Sequence, residues 1–349
     1  MPHAHSPLVS VLVLTYKSVP YLRPLIASIR GQTYTNIELI MIDNASPDDT
    51  VAVLKKEFPD VRLIENPENY WFSKGFNIGI NAAKGEYIII CNHDIVLEPN
   101  FIEEILKGFK DEKIAAVGGK LLKFPGEQME FSSDLVRLKT LVKSFKIDTT
   151  GVQVFRNRRA IDRGESEVDT GQYNVPQEVF GISGALVCFR RSALEAVKFE
   201  HEYFDEDIMA YKDDYDMSWR LRHAGYSLWY LPSAIAYHNR RVSRSTDLSD
   251  RGTMANRRGK SKIDNIQSYK NHWLVLLKND SARNFWRDFP FIFWYELKKF
   301  VYVLLFEQRT LAAIPLFFRQ LARMKMKRKY IFSHSTLRPG EVHHWFVKA

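Results

Sequence analysis

A chain of 349 residues with 45% hydrophobic and 26% charged side chains is long enough for one large α/β domain with an appendage, or for two domains, and too apolar to be disordered. Its two cysteines, Cys91 and Cys188, each sit in an apolar run and there is no CxxC pair, which argues against a disulfide framework or a zinc site and for buried free thiols in a reducing cytoplasm. With no apolar signal-type start and no uninterrupted run of bilayer length, the expectation is a cytoplasmic protein whose net charge of +9 favours a polyanion: nucleic acid, anionic lipid or a phosphorylated substrate.

Val9 to Tyr16 is a near-continuous apolar run of the kind buried on both faces of a parallel sheet. From Tyr21 to Arg30, Leu22, Leu25, Ile26 and Ile29 recur at helical spacing, and Gly31 marks the stop. Ile37 to Asp43 is a second strand, followed by a loop whose last residues, up to Asp49, can cap a helix reaching Glu57; Val61 to Glu65 is a short third strand. This alternation predicts parallel pairing through right-handed crossovers, a nucleotide-binding type of α/β fold. Asn66 to Gly79 reads as a loop leading into a helix, with Gly75 and Gly79 letting backbone approach a ligand and a helix amino end favouring phosphate.

The stretch from Glu86 to Leu97 organises the rest, because a β-branched run ends abruptly in Asn92, His93 and Asp94. A buried strand there delivers a carboxylate to its own carboxyl end, where the ligand crevice of an open α/β sheet lies. One carboxylate among neutral groups suits a hard divalent cation that also takes phosphate oxygens. Asp94 and Asp43, both at strand ends, also fit plain turn chemistry.

Between Lys120 and Val179 the pattern loosens into long, partly irregular connections. Gly181 to Arg191 predicts a strand feeding a helix, and Phe204 to Gly225 an acidic loop and helix. Helical spacing puts Asp214 on the inward stripe of Met217 and Leu221, and Asp213 on an outer side with Asp216 and Arg220, where first-turn acids complement the helix dipole. Leu228 to Tyr237 is a strand ending at His238, which a structural role explains as readily as metal ligation. From Phe285 to Phe332 aromatic and basic residues crowd together, opposed only by Asp288, Glu296 and Glu307. An interfacial helix on an anionic membrane surface fits that composition, as does a helical appendage packed on the α/β domain or in a homodimer.

Taken in order, Val13-Leu14-Thr15-Tyr16, Ile42-Asp43-Asn44-Ala45-Ser46, the glycine-spaced helix start from Asn69 to Gly79, Cys91-Asn92-His93-Asp94, Gly184 with Arg190-Arg191, Asp213-Asp214, Tyr237-His238 and the run from Lys270-Asn271 to Lys278-Asn279 form a specific series. The chain resembles, from Pro7 to Asp280, an inverting nucleotide-sugar glycosyltransferase of family 2 with the GT-A fold, nearest the bacterial rhamnosyltransferase branch. The resemblance implies a catalytic domain over residues 1–280, with a nucleotide-binding half (1–120) and an acceptor half (121–280), followed by a helical extension over 281–349 that associates with membrane or with a second copy. It places Thr15, Tyr16, Asp43 and Asn44 at the base and ribose of the donor, Lys74 and Asn77 near its ribose and diphosphate, and Asn92 beside them. Asp94 and His238 become ligands of a divalent cation, Mg2+ or Mn2+; Asp214 becomes the general base; Gly184, Asp213 and Trp219 fall on the acceptor side. Two positions depart from the branch: Asn92 stands where many relatives of the fold have the first Asp of Asp-x-Asp, and Trp71 stands where a Gly is usual.

The implied reaction transfers a sugar, L-rhamnose from dTDP-rhamnose or else a sugar from a UDP donor, to a glycan or polyprenyl-diphosphate-linked acceptor at the inner face of the cell membrane. The residue chemistry agrees, since an oxocarbenium-like transition state asks for a cation on the leaving diphosphate and a carboxylate for the acceptor proton. A single acceptor-side carboxylate favours one displacement with inversion. A sugar nucleotidyltransferase is the enzymatic alternative, yet Thr15-Tyr16-Lys17-Ser18 follows the first strand where a Gly-rich, Arg-containing loop is needed. A non-catalytic basic binder of lipid or nucleic acid explains the charge but not Asp43, Asp94 and Asp214, which would repel a nucleic-acid backbone. Nucleic acid is therefore not an expected partner.

Overall fold

The computed structural model of the chain describes residues 6–124, 145–239 and 250–348. Its first part is β1 (Val9–Thr15), α1 (Val19–Arg30), β2 (Ile37–Asp43), α2 (Thr50–Glu57), β3 (Arg62–Glu65), α3 (Trp71–Ala82) and β4 (Tyr87–Asn92). The four strands lie parallel in the order β4-β1-β2-β3. Alternate residues of β1 feed opposite layers: Val9, Val11 and Val13 pack with Leu22, Leu25 and Ile29 of α1, while Leu12 joins Phe76 and Ile80 of α3. Burial on both faces explains why the strand reads as an unbroken apolar run. The cap of α2 comes from Asp48, whose Oδ1 accepts from the Thr50 amide at 3.2 Å, whereas the Asp49 side chain makes no cap bond.

Gly75 and Gly79 serve packing rather than ligand approach. A Cβ on Gly75 would stand 2.6 Å from Leu14, and one on Gly79 would also collide with Ile42, so the glycines let α3 lie close on β1 and β2.

The sheet continues with β5 (Ile95–Leu97), α4 (Phe101–Leu106), β6 (Ile114–Lys123), β7 (Ile147–Thr149), β8 (Val152–Phe155), β9 (Ala160–Asp162), β10 (Gln177–Glu178), β11 (Leu186–Arg190), α5 (Arg191–Ala196), α6 (Asp213–His223) and β12 (Ser227–His238). The order is β10-β12-β6-β11-β4-β1-β2-β3; β12 runs parallel to β6, and β11 inserts antiparallel between β6 and β4. This is a mixed α/β fold with a mostly parallel central sheet and a helical C-terminal region. The stretch expected to be irregular instead contains the short strands β7 to β10, whose lengths of two to four residues leave no readable period; its residues 125–144 lie outside those described. Cys91 and Cys188 are buried free thiols, held above the usual thiol range by that burial.

Beyond residue 249 come α7 (Asp250–Arg258), α8 (Lys262–Asn279), α9 (Ala282–Phe306), a 3-10 turn, α10 (Ala313–Ser333), α11 (Pro339–His343) and β13 (Phe346–Val347), which returns to pair with β8. Buried ion pairs fasten this segment to the body. Asp288 of α9, fully buried, receives Arg156 at 2.6 Å, Arg158 at 2.8 Å and His343 at 2.9 Å. Lys327 of α10 reaches Glu202 at 2.8 Å and Asp205 at 2.5 Å. Replacing Asp288 by Ala takes the carboxylate from Arg156 and leaves the buried Arg158 with Asp280 as its one acidic partner among the described residues, so the fold should lose about 3–5 kcal/mol in urea unfolding. A loss below about 1 kcal/mol would show that α9 is not tied down through this residue.

Candidate active site

Strand register assembles one rim. Thr15 lies opposite Asp43 across β1 and β2, and Leu14 opposite Asn92 across β1 and β4, so three neighbouring parallel strands end together. At this edge Asp43 is buried and organises its own loop: Oδ1 accepts from Thr15 Oγ1 at 3.0 Å, and Oδ2 from the Ser46 amide at 2.8 Å. Tyr16, just beyond, is 38% exposed.

Asn44 and Asn77, implied to touch the donor, have their amides engaged by protein. Asn44 Nδ2 donates to the Trp71 carbonyl at 3.0 Å, and Asn66 Nδ2 donates to Asn44 Oδ1 at 2.9 Å. Trp71 has φ +57°, a left-handed conformation that a side chain makes costly, which is the physical reason a glycine suits this position. Asn77 is also buried; it donates to the Phe204 carbonyl at 2.9 Å and accepts from the Phe204 amide at 2.8 Å, tying α3 to the loop before α6. Lys74 places its Nζ 3.5 Å over the ring of Tyr70.

The turn after β4 places Asp94 beside the end of β12, because Ile95 of β5 pairs with His238. His238 Nε2 stands 3.3 Å from Asp94 Oδ1, and its Nδ1 lies 2.8 Å from Oδ2 of Asp148, a fully buried residue of β7. Burial opposes the imidazolium, but Asp94 and Asp148 outweigh it and raise His238 to about 9. Burial likewise works against the Asp94 carboxylate, and His238 more than compensates, holding it below its ordinary value. The donor set fits a divalent cation. Asp148 fixes the histidine through Nδ1 and leaves Nε2 turned to Asp94, the carboxylate–histidine arrangement that supports metal ligands. Two ligand atoms on adjacent corners around an ion bound at about 2.1 Å lie roughly 3 Å apart, close to what is seen here. Asp148 escaped sequence reasoning because a three-residue strand carries no pattern.

Gly184 joins the two ends of the site. Its N–H donates to Asp214 Oδ2 at 3.3 Å, and the next carbonyl, of Ala185, accepts from the Asn92 amide at 2.9 Å. A Cβ on Gly184 would meet Phe72 at 3.1 Å and Asp213 at 3.3 Å, so the close approach of α3, α6 and this backbone favours glycine. Asp214 is half-buried, and burial together with Asp162 at the end of β9 raises its carboxyl above the ordinary value of 3.8. Asp213 is raised well above that value by burial and by Asp214.

Two expectations for α6 are corrected. Asp213, Asp216 and Arg220 do not lie on an outer side: all three are buried, with Arg220 Nε 2.9 Å from Asp216 Oδ2 and Lys278 Nζ 2.8 Å from Asp216 Oδ1. α8 and α10 cover the face that periodicity assigns to solvent. Trp219 is not on an acceptor surface either, being 1% exposed among Phe180, Tyr215 and Phe346.

The loop before α6 is strained, with Met209, Tyr211 and Lys212 all at positive φ. Asn271 of α8 clamps it: Nδ2 donates to the carbonyls of Ile208 at 2.6 Å, Ala210 at 2.8 Å and Tyr211 at 3.0 Å. Lys270 adds a bond to the Asp207 carbonyl at 3.0 Å, and the Ser73 amide one to Met209 at 2.9 Å. Left-handed non-glycine residues cost of order 1–3 kcal/mol each and persist where surroundings over-determine them. Lys270-Asn271 is part of the resemblance, but the carbonyls it holds are visible only in three dimensions.

The rim of parallel strand ends thus carries a carboxylate–histidine pair at one end and a raised carboxylate at the other. Residues 10–197 match the model of glycosyl transferase family 2, more than half of the chain, and residues 152–318 match that of glycosyl transferase family group 2. The chain belongs to glycosyl transferase family 2 and carries the GT-A fold. It is 35% identical over 119 residues to an uncharacterized glycosyltransferase of Haemophilus influenzae, across 33% of this chain and 37% of that protein. It is 25% identical over 249 residues to the N-acetylglucosaminyl-diphospho-decaprenol L-rhamnosyltransferase of Mycobacterium tuberculosis, across 68% of this chain and 78% of that protein. The chain thus spans little more than a third of the first relative's length and over three quarters of the second's. Among solved structures it is similar to the mannosyltransferase PcManGT from Pyrobaculum calidifontis in complex with GDP-Man and Mn2+, at 17% identity and TM-score 0.50, over 93% of this chain and 76% of that one.

Asn271→Ala removes all three carbonyl bonds and lets the loop relax. Turnover should fall by about 100-fold through misplacement of Asp214, with nucleoside-diphosphate affinity changed only a few-fold. Unchanged turnover in steady-state kinetics would show that the loop holds itself.

Proposed function

We infer that the protein transfers a sugar from a nucleoside-diphosphate donor to an acceptor hydroxyl with inversion. The observation that carries this reading is the Gly184 bridge, which sets the raised carboxylate of Asp214 next to the Asn92–Asp94 turn and its histidine. The acceptor hydroxyl gives its proton to Asp214 as its oxygen attacks the anomeric carbon, and the bond to the diphosphate breaks on the opposite side. A raised pKa makes Asp214 a stronger base than an ordinary aspartate, and the neighbouring Asp213 favours proton uptake by the pair. Asp94 and His238 would hold a divalent cation, Mg2+ or Mn2+, oriented through Asp148; when bound, it supplies positive charge to the leaving diphosphate. Support for a metal also comes from the similar mannosyltransferase, solved with Mn2+.

Within this reading, L-rhamnose from a dTDP donor and a polyprenyl-diphosphate-linked glycan acceptor are the preferred substrates, supported by the ordered motif series and by the mycobacterial relative. UDP-sugars are the competing donors. Nucleoside-diphosphate release, measured over a panel of dTDP-, UDP- and GDP-sugars with each metal, tests the reading. Release from none of them would overturn it.

Asp214→Asn should lower turnover at least about 100-fold, on the order of 3 kcal/mol, while donor affinity stays nearly constant. In the wild type, kcat/KM should fall as pH drops, because protonation removes the base, and the midpoint should lie above the ordinary 3.8. A midpoint at or below that value, or a larger loss in Asp213→Asn, would reassign the base. Asp148→Asn should weaken binding of Mn2+ with nucleoside diphosphate by about 10- to 100-fold in calorimetry; affinity equal to wild type would remove Asp148 from the metal site.

A further inference from the structure

The first part of helix α9 is built inside out. Its buried stripe there recurs at four-residue spacing as Asn284, Asp288, Ile292 and Glu296, three of them polar, before the apolar Tyr302 and Val303 complete the buried side near the helix end. Asp288 is matched by Arg156, Arg158 and His343; Glu296 Oε1 lies 2.9 Å from both His272 Nε2 and Lys299 Nζ. The outward face carries Trp286, Phe289, Phe293, Leu297, Phe300 and Leu304, all exposed, with Trp286 at 66%. Their spacing of three and four residues makes one continuous apolar strip, and the rings touch in sequence, Trp286 to Phe289 at 5.1 Å and Phe289 to Phe293 at 5.6 Å. The strip continues through Leu305 and Phe306 to the 116° bend before α10, which adds the exposed Phe318. A helix in water normally turns the apolar stripe inward, and a contiguous exposed patch of this size asks for a cover.

The charges identify the cover. All three acids between residues 282 and 333, Asp288, Glu296 and Glu307, are spent on ion pairs within the fold, the last with Arg257. The exposed charges of this segment are cations: Arg283, Arg287, Arg309, Arg319, Lys325 and Lys329. A second copy docking face to face would bring these like charges together. A bilayer with anionic headgroups takes aromatic side chains into its interface and cations at its surface. Among the described residues no single helix is long and apolar enough to cross a membrane, although α9 and the helical segment after the 116° bend pass together by length and composition; the ion pairs that hold the inner side of α9 on the body favour a contact in the plane of the surface.

We propose that the outward strip of α9, with Phe318 of α10, is a docking surface for an anionic membrane. It goes beyond the transfer reaction and stands independently of it. The test is co-sedimentation of the full chain with vesicles of phosphatidylcholine alone and of phosphatidylcholine with phosphatidylglycerol, with light scattering in parallel. The wild type should bind the anionic vesicles and lose at least ten-fold in affinity at about 1 M salt, where screening contracts to roughly 3 Å. Trp286→Ser, Phe293→Ser and Phe300→Ser combined should abolish binding, and Arg283→Glu with Arg287→Glu should weaken it several-fold. Nucleoside-diphosphate release in solution should persist in both variants, which separates failure of this surface from failure of the catalytic reading. Three results would overturn the proposal: no binding to anionic vesicles, equal binding by the serine variant, or a wild-type dimer that the serine variant converts to monomer.

Discussion

His238 stands between two carboxylates, 3.3 Å from Asp94 and 2.8 Å from Asp148, and that meeting requires strands remote in sequence to end in register. β12 must run beside β6 as far as its last residue, β5 must fold back on β12 so that Ile95 faces His238, and β7 must add to β6. None of these charges is tolerable in that burial alone; each is acceptable because the others are present. The rim is therefore an electrostatic unit as well as a topological one, and an ion of charge two would relieve the same field that now raises the histidine.

The same economy of buried charge recurs away from the rim. Lys278 and Lys327 converge on Asp205, Arg158 lies between Asp280 and Asp288, and Arg220 meets Asp216. These pairs fix direction more than they add stability, since a charge in the interior accepts only a well-placed partner. They help explain how a helix with much of its apolar surface outward still seats firmly on the body: α9 is held by Asp288 and Glu296 together with the buried Ile292, Tyr302 and Val303.

Much of this was legible in the residues. The strand-end pattern marked Asp43 and Asp94 as residues of the sheet's carboxyl edge, and β1, α1, β2, α2 and β3 follow from apolar runs and helical spacing, whereas the three-residue β5 is too short to stand apart from β4. Asp148 was not legible, since β7 is too short to show a period. Nor was the burial of Trp219 and Arg220: a helix rich in charge reads as solvated until the tail, through Phe346 and Lys278, is seen to cover it. Gly75 and Gly79 were visible but ambiguous, because a missing side chain serves a ligand and a neighbouring strand equally well. For α9 the composition was plain and the orientation was not, as the partners that draw Asp288 inward lie more than a hundred residues earlier at Arg156 and Arg158.

Neighbouring residues of α8 hold two different things. Asn271 grips the carbonyls of the strained loop that leads to Asp214, and His272 meets Glu296 on the inner side of α9. One turn of one helix is thus the shared footing of the proposed proton acceptor and of the outward aromatic strip. No linker intervenes, so a surface on which α9 rested would lie at a distance from Asp214 set by the fold itself, a ruler cut to one length.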